Sequence, residues 1–189
     1  MKKGILALAL LLFCAALPLV SASNAEDSGS KTTAERKAKR EANQAQAIGL
    51  MKAALAEQSF CFYPDSYTLP YQNPVELFTS STQYYLSFYP NDLDIILPFE
   101  LQNEQKLVFD SQLTPYENYD VKTTSKPMQY IITAQLKNVS SNSFNAPLDS
   151  QAINLSIHIS VNISTGTAYM TITPDFSAAV VYEGTIRPH

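Results

Sequence analysis

A chain of 189 residues, 46% hydrophobic and 16% charged with a formal net charge of −4, is long enough for one packed core and too apolar for a disordered tail. The acidity sits on the body: residues 41–189 hold 6 basic and 14 acidic side chains, whereas 31–40 carry Lys31, Arg36, Lys37, Lys39 and Arg40 against Glu35 alone. An acidic body argues against a nucleic-acid partner, whose phosphates need a basic footprint, and the basic segment reads as a solvated helix face.

Lys2 and Lys3 precede an apolar run from Ile5 to Val20, and Val20-Ser21-Ala22 suits a signal peptidase. Residues 1–22 therefore read as a signal peptide cleaved after Ala22, with Ser23-Asn24-Ala25 as a second cleavage candidate. The run is short for a span of about 20 residues, so no membrane span is expected in the mature chain. Cys14 follows the bulky Phe13 inside that run and does not suit lipidation. Cys61 then stands alone in the mature protein, either buried as a small hydrophobe among aromatics or engaged in an intermolecular disulfide.

Residues 23–31 read as a flexible polar lead, and residues 32–189 as a single α+β domain. A helix is predicted over about 32–58, with Thr32 as N-cap and Glu35 completing a capping box. Ala38, Ala42, Ala45, Ile48, Met51 and Leu55 form a stripe at helical spacing whose large members come late, so docking through residues 45–56 is expected. Gly49 is explained here by close approach of the helix to a sheet.

From residue 59 to 189 the period is two. Two strands flank a Pro90-Asn91-Asp92 turn, with Tyr84, Leu86 and Phe88 on one face, then Leu93, Ile95, Leu97, Phe99 and Leu101. Pro98 points to an edge or a bulge. "KLVFDSQL", "YENYDVKTT" and "QYIITAQLKNV" are three further candidates, the last after a turn at Thr124-Ser125-Lys126-Pro127; "SFCFYP" and "VVYEGTIRP" make the first and last strands.

"AINLSIHISVNIS" alternates without a break. Six aliphatic side chains on one parity, at roughly 1.5–3 kcal/mol each, explain the row as a core face. A two-residue Thr165-Gly166 turn would pair Ile163 with Ala168, Val161 with Met170 and Ile159 with Ile172. It would set His158 beside Thr173, Ser160 beside Thr171 and Asn162 beside Tyr169.

The fold class expected is α+β: one N-terminal helix packed on a large antiparallel, mostly meander β-sheet, with curling towards a barrel as an option. His158 lacks a carboxylate in its local pattern and reads as a surface or groove histidine. His189 reads as a mobile terminal residue. These two histidines, without a Cys or Asp cluster, do not make a zinc site, and no glycine loop cradles phosphate, so no metal or cofactor is implied. Tyr63, Tyr67, Tyr71, Tyr84, Tyr85 and Tyr89 form a dense tyrosine cluster suited to recognition as well as to packing. The binding candidates are Tyr84, Tyr85, Tyr89, His158 and Tyr169.

The signal segment, the charged "AERKAKREANQAQA" helix, "SFCFYPDSYTLP", "YYLSFYPNDLDIILPF", "YDVK" and "TAYMTITPDFSAAVVYEGTIRP" together resemble the secreted Bacteroidetes proteins catalogued as domain of unknown function 4251. The resemblance spans nearly the whole mature chain and departs from it at "ELQNEQKLVFDSQLTPYEN". It implies a bacterial envelope or periplasmic location and carries no catalytic residues. The expectation is an exported, non-enzymatic module that binds an unknown protein or small ligand. The alternative is an envelope hydrolase using paired carboxylates among Asp92, Asp94, Glu100, Glu104 and Asp110.

Overall fold

The computed structural model describes residues 28–69, 72–77, 84–100, 106–143, 153–175 and 177–189. The expected signal peptide, the start of the polar lead, Tyr71, Leu101 and Glu104 lie outside the described residues. The chain divides into two compact units, Met1–Lys39 and Arg40–His189. In the first, the described residues are the opening turns of helix α1 (Ser28–Ala56), exposed from residue 32 to 39. Because α1 begins at Ser28, Thr32 lies one turn inside the helix and is not its N-cap, and the last part of the expected polar lead is helical.

In the second unit, Met51, Ala54 and Leu55 of α1 join the apolar core and Ile48 packs half-buried against it. Gly49 is exposed, and a Cβ there would meet no atom within 4 Å. Close approach is therefore not its reason. The helix ends on Gln58 in the left-handed region (φ 58), with the Ser59 amide donating to the Ala54 carbonyl at 2.9 Å. That arrangement satisfies a terminal carbonyl without glycine.

Among the described residues ten strands follow: β1 (Phe60–Thr68), β2 (Val75–Glu76), β3 (Tyr85–Phe88), β4 (Asp92–Glu100), β5 (Lys106–Thr123), β6 (Gln129–Val139), β7 (Ser141–Ser143), β8 (Ile153–Asn162), β9 (Thr167–Pro174) and β10 (Val180–Pro188). Every pairing is antiparallel, and the order β1-β3-β4-β5-β6-β8-β9-β10 returns from β10 to β1, closing an eight-strand barrel. The short β2 and β7 add to β1 and β5. Closure leaves no open edge in the ring.

Alternation decides what the ring encloses. Ile153, Leu155, Ile157, Ile159 and Val161 are buried, while Asn154, Ser156, His158 and Asn162 are exposed. Phe60, Phe62, Phe88, Phe99, Phe109 and Tyr182 add fully buried rings to the same core. Phe99 stacks on Phe109 at 4.1 Å between centroids, and Phe60 on Phe88 at 4.8 Å. With apolar residues inside and amides and hydroxyls outside, the barrel suits water on its outer surface. No helix among the described residues is long and apolar enough to cross a membrane.

Two local expectations change. The β8–β9 register pairs Ile159 with Met170 and Val161 with Ala168, two residues from the expected one, because Ile163–Gly166 all belong to the connection. Gly166 there has φ 76 and its amide donates to the Asn162 carbonyl at 2.8 Å. A shift of two preserves the faces, so His158 still faces outward but lies beside Thr171, and Ser160 lies beside Tyr169. "KLVFDSQL" and "YENYDVKTT" join in one strand, β5. Pro98 lies within β4, paired with Val108 of β5, and its carbonyl accepts the Tyr182 hydroxyl at 2.8 Å.

Candidate functional site

The outer face of β1 and β3 gathers an aromatic group around a buried thiol. Cys61 pairs with Ser87 of β3 and Arg187 of β10. Alternation turns Phe60 and Phe62 inward, so Cys61 faces out, yet it is free and buried. Ser87, its partner on β3, is in turn met by His189. The His189 amide donates to the Ser59 carbonyl at 3.3 Å, its ring lies 2.8 Å from the Ser87 hydroxyl through Nε2, and it stacks on Tyr89 at 5.1 Å with planes 6° apart. His189 is thus held in place, contrary to the expectation of a mobile end. The Arg187 guanidinium sits 5.4 Å from the Tyr63 ring centre, a cation–π distance.

Burial pushes the Cys61 thiol up, against smaller opposing effects from Tyr63, Ser87 and Arg187. A thiol held protonated is a poor nucleophile. The Tyr63 phenol is raised chiefly by its hydrogen bond with Cys61. Tyr85 is raised by burial first, then by the Asp94 carboxylate, with smaller effects from Tyr89, Cys61 and Asp110.

Of the sequence candidates, Tyr85 and Tyr89 therefore come together, with Tyr63, Arg187 and His189 beside them. Tyr84 is separated from them, because it packs half-buried against the barrel core. His158 and Tyr169 share a different outer face: His158 lies between Thr133 and Thr171, while Tyr169 lies between Ser160 and Glu183. Tyr169 is 53% exposed and donates to Glu183 Oε1 at 3.2 Å, which raises its phenol.

Two open clefts lie on the outer surface away from the tyrosines. One, of about 300 Å³, runs between the ends of β6, β8 and β9 and includes Gln135, Lys137, Asn154, Ser156 and Asp175. The other, of about 450 Å³, lies over the β5–β6 bulges and includes Leu113, Pro115, Glu117, Lys137 and Asn138. Among the described residues, each is lined by a single carboxylate, Asp175 in the first and Glu117 in the second. Asp175 accepts from Asn154 Nδ2 at 3.0 Å, and Glu117 pairs with Lys137 at 2.7 Å. Among the described residues, no group of three or more His, Cys, Asp or Glu side chains is placed to hold a metal ion.

No family model matches the chain, and no curated protein does. A solved structure does match: the crystal structure of a DUF4251 family protein from Bacteroides eggerthii, with a TM-score of 0.55 and 14% identity. The alignment covers 77% of this chain and 91% of that one. The chain shares its fold with a DUF4251 family protein. That is a likeness of architecture, and it agrees with the family resemblance read from the residues. The DUF4251 likeness brings no activity with it, since the name itself states an unknown function.

Two groups were not legible in the sequence. Arg187 comes beside Cys61, and His189 beside Ser87, only through the β1–β10 pairing that closes the ring, a long-range register that no local pattern encodes. Leu113 sits in a left-handed conformation (φ 49), where its amide donates to Asp94 Oδ1 at 2.7 Å. The adjoining "TP" of Thr114-Pro115 was the one local sign of irregularity there.

Proposed function

We propose that the protein is an exported cell-envelope module, non-enzymatic, that binds a protein partner through the tyrosine face of β1 and β3. One observation carries this reading: Tyr63, Tyr85 and Tyr89 are half-buried on a single outer face, braced by Arg187 and His189. None of the three rings belongs to the barrel's buried core. Rigid tyrosines with a polar tip give large contact area at small entropic loss, and interfaces are enriched in Tyr and Arg. The thiol beneath them, pushed up by burial, supports binding over nucleophilic chemistry.

Export rests on residues 1–22 and the envelope location on the family resemblance. N-terminal sequencing of protein recovered from its native envelope is expected to start at Ser23, or at Glu26 if the second cleavage candidate is used. A chain beginning at Met1 would overturn export by this route. For the face itself, a photo-crosslinking residue at position 85 is expected to give one dominant protein adduct in the native envelope, and the same residue at position 158 none. The Tyr85→Ala/Tyr89→Ala double variant should lose that partner on co-purification while still unfolding in one cooperative transition. Equal adducts at both positions, or full recovery with the double variant, would refute the tyrosine face.

A further inference from the structure

One cross-strand row on the tyrosine face carries opposite charges at its two ends. Arg187 of β10 lies opposite Cys61 of β1, Cys61 opposite Ser87 of β3, and Ser87 opposite Asp94 of β4. Ile186, Phe62, Leu86 and Ile95, each next to a member of the row in its strand, are buried in the barrel, so the row itself is turned outward. Three strand spacings separate its ends, about 14 Å between the backbones.

Cys61 and Ser87 are buried in the middle of the row, and the groups around them are aromatic. In the adjoining row Tyr63 sits opposite Thr185, and Tyr85 opposite Ile96, with Asp110 beyond it on β5. Tyr89 follows on the other side, stacked against the His189 ring. Asp94 and Asp110 thus stand on one flank of the tyrosines and Arg187 on the other.

The positive end is a local exception. Residues 41–189 hold 6 basic and 14 acidic side chains. Lys122 and Lys137 each meet a carboxylate, Asp120 at 2.5 Å and Glu117 at 2.7 Å. Arg187 is exposed and instead lies over Tyr63, 5.4 Å from the ring centre. A cation–π contact steadies the guanidinium while using none of its five N–H donors, whose fork matches a carboxylate. The negative end is steadied too. Asp94 Oδ1 accepts from the Leu113 amide at 2.7 Å, and a carboxylate keeps further acceptor sites for a cation.

Charge on such a face selects by sign and by place. A uniformly basic partner would be drawn to the whole acidic body, and a uniformly acidic one repelled by most of it. A partner with both signs in the right order satisfies both ends, whereas each wrong sign sets like charges together.

We propose that the protein partner of the tyrosine face presents a carboxylate to Arg187 and a cationic side chain to Asp94, about 14 Å apart, across an uncharged stretch lying on the tyrosines. This rests on the tyrosine-face reading and adds the partner's chemistry to it. In an extended segment that separation is four residues, at about 3.4 Å each.

The probes are four fluorescein-labelled peptides with blocked ends, titrated against the whole mature protein by fluorescence polarisation. Each is a Ser-Val-Ser linker flanked by Glu and Lys, Lys and Glu, two Glu or two Lys. One of the mixed peptides is expected to bind roughly fivefold tighter or more than either same-sign peptide. That preference should vanish in about 0.5 M salt. Arg187→Glu should turn the preference towards the peptide with two Lys, and Arg187→Gln should shrink it without reversing it. A merely structural Arg187 would give no reversal. Tyr85→Ala/Tyr89→Ala should weaken all four peptides together. Mixed and same-sign peptides binding alike, no binding by any of the four, or a preference unmoved in both Arg187 variants would each overturn the polarity. The crosslink at position 85 separates the two readings. An adduct there, with peptides indifferent to charge, leaves the tyrosine face standing and removes the polarity alone, whereas no adduct removes both.

Discussion

Gly49 occupies a helix position with open space where a side chain would stand. A glycine inside a helix gives up about 1 kcal/mol relative to alanine through backbone entropy. Gly49→Ala is therefore expected to stabilise the protein by about that amount, a rise of roughly 2–4 °C in melting temperature for a domain of this size. An unchanged or lower value would mean that something at this position requires the glycine. The helical wheel already held this answer, since Ile48, Met51 and Leu55 mark the docking side and Gly49 lies about 100° round from Ile48. His189 is the opposite case. Nothing in its own neighbourhood of sequence announces Ser87 or Tyr89, and its place follows only from β10 running antiparallel to β1.

Among elements, β8 was legible because one face is buried along its whole length, so that every residue obeys the same rule. Its partner register was not, because Ile163 is both apolar and part of the connection: its side chain is buried while its amide donates to the Met128 carbonyl at 2.9 Å. In β5 the period breaks at Leu113 and again between Glu117 and Asp120, where the β5–β6 register shifts. Two bulges in one strand look like a turn between two strands, which is how the sequence was divided. The seam between β1 and β10 carries its own sharp requirement. A Cβ on Gly184 would lie 2.1 Å from the Tyr63 carbonyl oxygen and 2.8 Å from the Pro64 Cα, both backbone atoms without freedom to swing aside. Gly184→Ala should thus destabilise by about 1–3 kcal/mol or more, read as a lower urea midpoint. A midpoint equal to the parent's would show that the seam opens without cost, and would undercut ring closure as a source of stability.

For the whole molecule, buried phenols set an alkaline limit. Burial lifts Tyr116 from its ordinary value of 10.0 to about 12 and raises Tyr119 and Tyr182 as well. Tyr119 donates to the Leu55 carbonyl at 2.6 Å, tying β5 to the end of α1, and Tyr116 donates to the Tyr89 carbonyl at 2.6 Å while also meeting the Gln58 amide. A raised pKa means that the folded chain holds its phenolic protons more tightly than the unfolded chain. The resulting stability is whole below about pH 10 and is lost as the pH climbs through about 12. Urea midpoints are expected to be flat from neutrality to about pH 10 and then to fall. Tyr182→Phe, which removes the hydrogen bond to the Pro98 carbonyl, should lose about 1–2 kcal/mol near neutral pH and show a shallower alkaline fall. An alkaline profile identical to that of the parent would show that Tyr182 does not contribute to it.

The pairing of Phe60 with Pro188 also has a consequence in time. A ribosome finishes β1 long before it reaches β10, and until then Phe60 and Phe62 have neither their last neighbour nor a sealed interior around them. The first strand must wait for the last. Chains whose decisive pairings are this remote in sequence fold slowly, on millisecond-to-second scales, and expose sticky strand edges meanwhile. Losing the final strand would therefore do more than shorten the protein: it would leave two raw edges, on β1 and β9, each a template for a neighbouring chain.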